Sequence, residues 1–538
     1  MIDPQVFDVA EHVADSSHGV VSELTVGGLL RRAVDRAPER IAIKARTPDS
    51  SDRREWTYRE VQNQSEALAK ALLRRFDPGQ RVAVLAPNVP EWWLLEFGAA
   101  LAGIVVVAVN PASKAPELRH VLTDSESSGI ISMSEYRGDD TRSMVAEVVA
   151  DLPSVGETIF LEEMAALLEE DGQGVELPEV QPDDLFMIQY TSGTTGPPKG
   201  AMMRHRGVVN TSMFATERFA LAEASIWLNC MPMCHTGGSV HSTLGTLWNI
   251  GTMLMVPQFD AGYALELIET EQANWITTVP TMALRLLDHP TFTSRSMASM
   301  RLHACGGAPV APELVERIER EMGCDFVMIY GQTEMSGMIC QTYRDDTMEH
   351  RTQSVGYPLG PIDVRICASE SLDPLAVGQV GEICYRGFSV FAGYWGNSVA
   401  TDEVLSADGW FRTGDLGTIR SDGYLTINGR LKDMLIRGGE NIYPREIEDQ
   451  LIEHPDVAEV AVIGIPDPQW GEDIAAVVRL HETRDSDQEQ LRAFLLDRIS
   501  AHKVPRTWVF VDSFPVTLSG KIQKFALRDL LLRRQEHA

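Results

Sequence analysis

A chain of 538 residues, 44% hydrophobic and 23% charged, is long enough for more than one domain and a large core, so disulfide staples are unnecessary. Its net charge of −30 excludes a sequence-independent nucleic-acid binder, which would need a basic footprint. The seven cysteines, at 230, 234, 305, 324, 340, 367 and 384, are odd in number and never paired as CxxC, which argues against a disulfide framework; no second pair follows Cys230 and Cys234 to complete a zinc site.

Residues 1–20 carry Asp3, Asp8, Glu11 and Asp15 where an export signal would be apolar. The most apolar run, 97–109, is broken by Gly103 and is too short to span a bilayer. The expected location is the cytoplasm. Between 81 and 133 short apolar runs alternate with helical periods: strand 81–86, helix 91–102, strand 104–110, helix 116–125, strand 129–133. Continuous apolar strands separated by helices imply a parallel sheet covered on both faces. A second stretch of the same kind runs from about 228 to 330. From 355 to 428 the texture changes to short runs (381–386, 423–428) punctuated by Gly, Asp and Pro, which reads as antiparallel strands and tight turns.

After 429–433 comes a tail with its own rhythm: a helix opened by Pro444 and continued through 446–453, strands 457–465 and 474–480, a helix 488–499 and a strand 507–511. The fold class expected is therefore α/β. A large N-terminal domain of parallel-rich α/β sheets with a small β-rich subdomain (1–431) precedes a small α+β C-terminal domain (432–538), joined by a hinge.

Residues 190–200 read YTSGTTGPPKG and follow the apolar run 185–188. Glycines permit close approach, so the backbone N–H groups and hydroxyls of such a loop can wrap phosphate oxygens. A Walker P-loop would need a hydroxyl residue after its lysine, and here Gly200 follows Lys199. At these residues the chain resembles the superfamily of acyl- and aryl-CoA synthetases, luciferases and peptide-synthetase adenylation domains, and the likeness continues in order along essentially the whole chain. It is most similar in look to medium-chain fatty acyl-CoA ligases.

The resemblance implies that Thr191, Ser192, Gly193, Thr194, Thr195, Gly196 and Lys199 bind the phosphates of ATP. Gly306-Gly307-Ala308-Pro309 resembles the adenine-pocket turn, with Gly307, Ala308 and Pro309 against the base. In Tyr330-Gly331-Gln332-Thr333-Glu334, Tyr330 would stack on adenine, Gly331 and Gln332 would complete the nucleotide turn, and Thr333 would contact phosphate. Glu334 would hold Mg²⁺, a cation that takes oxygen ligands and leaves room for phosphates. Asp415, in Thr413-Gly414-Asp415, supplies a carboxylate for ribose hydroxyls, with Arg430 a second candidate for ribose and phosphate. Lys432 occupies the hinge position. Gly438, Gly439, Glu440 and Asn441 resemble the loop along which the CoA thiol arm passes, and Lys521 in Ser519-Gly520-Lys521 resembles the catalytic lysine of the C-terminal domain.

His235, followed by Gly237 and Gly238, falls where acid-activating members place a side chain beside the carboxylate. A lone histidine is often only structural, and Cys234 stands where many relatives have an aromatic. No aspartate is present there to bind an ammonium group, so a free α-amino acid is not the expected substrate.

The implied activity is an ATP-dependent acid–CoA ligase acting through an acyl-adenylate, on a medium-chain fatty acid. Its partners would be the acid, ATP and CoA, with no nucleic acid and no membrane span, and a homodimer is the assembly to test. Three alternatives stay open: an aromatic acid as substrate, transfer to a carrier protein or another acceptor, and a non-catalytic nucleotide-binding protein of the same fold.

Overall fold

The helix Pro90–Ala102 starts with proline at its first turn, where the missing N–H costs nothing, and stops at Gly103, whose φ of 66° is left-handed. Every residue between them except Glu91 is buried, because the helix touches two sheets, at Val105–Val109 on one and at Ile41–Arg46 on the other. A helix that is apolar on all sides must be covered on all sides. The computed structural model that shows this describes residues 9–46, 53–170, 172–191, 198–368, 371–437, 440–467, 470–481, 484, 486–516 and 522–536.

The first of those sheets is six-stranded, in the order Lys199–Arg204, Leu185–Thr191, Val105–Val109, Arg81–Leu85, Gly129–Ser132, Glu157–Phe160. All its pairings are parallel except the first, where Leu185–Thr191 runs antiparallel to Lys199–Arg204. Val105–Val109 is buried at all five positions, as its unbroken valine and alanine sequence requires.

The second sheet has nine strands: Tyr357–Pro358, Gly337–Gln341, Asp325–Gln332, Leu302–Gly306, Trp275–Thr278, Ile226–Asn229, Thr252–Met255, Ile41–Arg46 and Arg53–Thr57. Its centre is parallel and both ends are antiparallel. The expected parallel-rich sheets are therefore mixed, with antiparallel strands added at edges.

The small β-rich subdomain is an antiparallel sheet of Glu11–His12, Ile362–Cys367, Gly381–Gly387, Phe411–Ile419 and Leu425–Arg430. Its first strand comes from near the N-terminus, a long-range pairing that no local pattern announces.

The tail forms a sheet of Glu440–Ile442, Leu435–Arg437, Gly471–Leu480 and Val457–Asp467, with Thr507–Phe510 parallel to Gly471–Leu480. Helices Pro444–Ile452 and Gln488–Leu496 lie near their expected positions, the second shorter than 488–499. Among the described residues no apolar cluster mixes side chains from the two sides of 431: those of the tail begin at Leu435, and the others end at Ile427. No helix among the described residues is long and apolar enough to cross a membrane.

Candidate active site

The ends of neighbouring strands gather most of the residues singled out from sequence. Leu302–Gly306 and Asp325–Gln332 run parallel with Gly306 opposite Ile329, so Gly307, Ala308 and Pro309 leave the sheet beside Tyr330 and Gly331. Ligands bind at such carboxyl ends in open α/β sheets. Glycine is sterically required here: a Cβ on Gly306 would lie 2.1 Å from the Ile329 carbonyl oxygen, and one on Gly331 would lie 1.7 Å from that of Gly337. Gly307 has a left-handed φ of 76°.

Asp415 is the electrostatic centre. It is 4% exposed, and its Oδ2 accepts from the Tyr330 hydroxyl at 2.8 Å and from Gln332 Nε2 at 2.5 Å. Its Oδ1 faces Arg430 Nε at 3.1 Å across the paired strands Phe411–Ile419 and Leu425–Arg430. The Asp415 charge raises the Arg430 guanidinium further, while burial, reinforced by Asp415, pushes the Tyr330 phenol well up. Three donors leave room for about one more on a carboxylate with roughly four lone-pair sites. The loop itself is held from below, since Glu382 Oε1 accepts from the Gly414 N–H at 3.0 Å.

Thr333 and Glu334 lie in the one-turn helix Thr333–Met335 that follows strand Asp325–Gln332. Glu334 Oε1 accepts from the Tyr394 hydroxyl at 2.9 Å. Among the described residues no group of three or more His, Cys, Asp or Glu side chains could hold a metal. A single carboxylate at a nucleotide site suits Mg²⁺, which is commonly held by one or two carboxylates plus phosphates and water. The residues present fit that ion.

Thr191 and Lys199 face each other across the antiparallel pair that brackets the phosphate loop, and Lys199 Nζ sits 5.0 Å from the Tyr394 ring centroid. Ser192, Gly193, Thr194, Thr195 and Gly196 lie outside the described residues. So does Lys521, although Val516 and Ile522 on either side of it pair with each other.

His235 precedes a π-helical turn, Gly237–Ser242, that runs on into Thr243–Trp248. Such turns are frequent at functional sites. Its Nδ1 accepts from the Gly237 N–H at 3.2 Å, which puts the proton on Nε2. The smallness of Gly237 and Gly238 serves close packing: a Cβ there would meet Met231 Cε at 2.9 Å or the Pro232 carbonyl at 2.3 Å. Gly337 faces this turn, and a Cβ on it would stand 3.8 Å from Thr211 and Thr236 and 3.9 Å from Val240. Gln189 Nε2 donates to Ser239 Oγ at 3.0 Å and ties the turn to the phosphate-loop strand.

In the tail, Lys432 lies in the turn Leu431–Asp433 and is exposed. The hairpin strands Leu435–Arg437 and Glu440–Ile442 bracket Gly438 and Gly439, which lie outside the described residues; Glu440 and Asn441 open the second strand. Sequence reasoning read this stretch as a loop.

Sequence reasoning also missed Trp470. Its indole is 37% exposed, with the guanidinium carbons of Arg437 and Arg506 at 5.6 and 5.8 Å from the ring centroid. The available signal was a tryptophan in the sequence Pro-Gln-Trp-Gly, flanked by acidic residues.

The profile of the AMP-binding enzyme family matches residues 30–395, and that of the AMP-binding enzyme C-terminal domain matches 446–521. The chain is 34% identical over 547 residues to the human mitochondrial medium-chain acyl-CoA ligase ACSF2, over 95% of this chain and 88% of that one. It is 38% identical over 473 residues to a feruloyl-CoA synthase of Amycolatopsis, over 88% of this chain and 93% of the relative. The structure superposes on ATP-bound MatB from Rhodopseudomonas palustris with a TM-score of 0.86 at 29% identity, over 94% of this chain and 99% of that one. Against apo MatB the TM-score is 0.77. With one profile matching 30–395 and the other 446–521, the chain belongs to the AMP-binding enzyme family.

Proposed function

We propose that this chain, an ATP-dependent carboxylic acid–CoA ligase of the AMP-forming type, acts on medium-chain fatty acids. The observation behind the substrate reading is that the side chains nearest Gly337, three residues after Glu334, are uncharged and buried: Thr211, Thr236 and Val240. An apolar tail gains roughly 0.8 kcal/mol for each methylene buried. The human relative named a medium-chain ligase supports the same class.

In the first half-reaction a carboxylate oxygen of the acid attacks the α-phosphorus of ATP, and the bond to pyrophosphate breaks. Two anions must meet, so the residues contribute alignment and charge compensation. Lys199 and Lys521 offer positive charge to the phosphates, Asp415 accepts one ribose hydroxyl, and Tyr330 flanks the base. Mg²⁺, held at Glu334, would supply further charge neutralisation when bound. His235, next to the π-helical turn, is the side chain set beside the acid's carboxylate.

In the second half-reaction the CoA thiolate attacks the acyl carbonyl and AMP leaves. Rotation of 432–538 about Lys432 would withdraw Lys521 and bring in residues 438–441. The better match to ATP-bound MatB supports an adenylation arrangement for the structure described. Trp470 offers an exposed stacking face to the base of a CoA nucleotide; Arg437 near it is buried against Asp473, which leaves the exposed Arg506 as the cation for a phosphate. That supports CoA over a carrier protein as acceptor. Cytoplasmic location and homodimeric assembly belong to the same proposal; the seven cysteines are free, which fits a reducing compartment.

The feruloyl-CoA synthase relative favours a second reading, an aromatic acid in place of the fatty acid. A competition among acetate, octanoate, palmitate, benzoate and ferulate at equal concentration separates the two. Octanoyl-CoA should exceed acetyl-CoA by more than about tenfold in kcat/KM. Benzoyl- or feruloyl-CoA as the dominant product would replace the medium-chain reading and leave the ligase intact.

A further inference from the structure

We infer that Tyr394 is a positioning residue for adenylation, a spacer that holds the Glu334 carboxylate and the Lys199 ammonium apart so that both charges stay available to the nucleotide. The inference rests on Glu334 and Lys199 facing Mg²⁺ and the phosphates.

Tyr394 is 8% exposed and meets both groups through different chemistry. Its hydroxyl donates to Glu334 Oε1 at 2.9 Å, and its ring lies under Lys199 Nζ at 5.0 Å from the centroid. The phenol O–H is the donor in this contact, so the carboxylate keeps its charge. The ring face attracts the ammonium without neutralising it. Among the described residues Glu334 Oε2 accepts no hydrogen bond, so the phenol fixes the carboxylate through one oxygen only. Without the ring between them, opposite charges on adjacent elements would be drawn into a direct ion pair, and each would be lost to the phosphates.

The backbone makes the spacer rigid. The Phe391 N–H donates to the Glu334 carbonyl at 2.9 Å, the Ala392 N–H to Met202 at 2.8 Å, and the Trp395 N–H to Gly200 at 2.8 Å. The Tyr394 N–H is itself taken by Thr401 Oγ1 at 2.9 Å. One short segment is thus stitched both to the turn bearing Glu334 and to the strand that begins at Lys199.

Two variants divide the roles. Tyr394→Phe keeps the ring and removes the hydroxyl; Tyr394→Leu removes both. The readouts are ATP binding by calorimetry over a Mg²⁺ series and in EDTA, and thioester formation from supplied acyl-AMP and CoA. Tyr394→Phe should raise the Mg²⁺ concentration for half-maximal ATP binding by about tenfold, the scale of one charge-assisted hydrogen bond. Its ATP affinity in EDTA and its use of acyl-AMP should be those of the parent. Tyr394→Leu should also weaken ATP binding in EDTA, because Lys199 is freed to pair with Glu334. A parental Mg²⁺ dependence in Tyr394→Phe, with Glu334→Gln shifted, overturns the spacer alone. A parental Mg²⁺ dependence in Glu334→Gln overturns the metal reading and the spacer with it. If both tyrosine variants behave identically in EDTA, the ring has no part in holding Lys199 and the inference fails.

Discussion

Asp415 shows how one residue can concentrate a site. Tyr330, Gln332 and Arg430 all point at its carboxylate. Replacing it by asparagine keeps the shape but removes the charge that Arg430 faces. Charged hydrogen bonds are worth about 1.5–3 kcal/mol, so Asp415→Asn should raise the KM for ATP by about ten- to a hundredfold in ATP–pyrophosphate exchange. Conversion of supplied acyl-AMP to thioester should fall as well, because the adenylate carries the same ribose. Lys521→Ala, by contrast, should lower only the exchange reaction. Equal KM values for ATP in Asp415→Asn and the parent would remove Asp415 from the ribose site. The residues themselves were legible because each motif is local in sequence. Their convergence was not: Tyr330 and Asp415 are 85 positions apart. Tyr394 and Trp470 were passed over because an aromatic beside a glycine reads first as packing, and only their neighbours in space give them chemistry.

Among the elements, the strands that could be read were those whose environment is uniform. Val105–Val109 is buried throughout and its sequence says so. Lys199–Arg204 was hidden because it mixes lysine and arginine with apolar residues, as an edge strand can. It forms its ladder with Leu185–Thr191 and is covered on the other side by the 391–395 segment through irregular contacts. Two glycines test how these elements build the site. Gly331→Ala forces a Cβ into the Gly337 carbonyl, between strands whose pairing already shifts at that point. Overpacking of this kind costs about 1–3 kcal/mol or more, so a lowered urea midpoint and weakened ATP binding should appear together. Gly414→Ala has nothing within 4 Å of its new Cβ and suffers only from a left-handed φ of 70°. It should cost about 1 kcal/mol and leave the fold intact. Equal denaturation midpoints for the two variants would mean that the Gly331 contact is not a constraint on the sheet.

At the scale of the whole molecule, we propose that apolar clusters stopping at Ile427 and resuming at Leu435 mark two cooperative units joined near Lys432. The large unit also carries an acid liability. Burial pushes the imidazoles of His12 and His205 down to about 4, and those of His241 and His303 down to about 3. All four lie before 432. In the unfolded chain each would titrate near 6.5, so above that pH folded and unfolded states bind the same number of protons here. As the pH falls from 6.5 towards 4, the unfolded chain takes up protons that the folded one cannot. Each histidine then costs about 1.4 kcal/mol of stability per pH unit. Calorimetry of the intact chain at pH 7.5 should resolve two transitions, and saturating ATP should raise the larger one by binding its folded form. At pH 5 the larger transition should move down by many degrees; the four histidines should then take up close to four protons as the large unit unfolds, offset by most of the proton that buried Glu96 gives up. A single transition that shifts as one body at both pH values would show that the two units unfold together and that the boundary at 431 has no thermodynamic meaning.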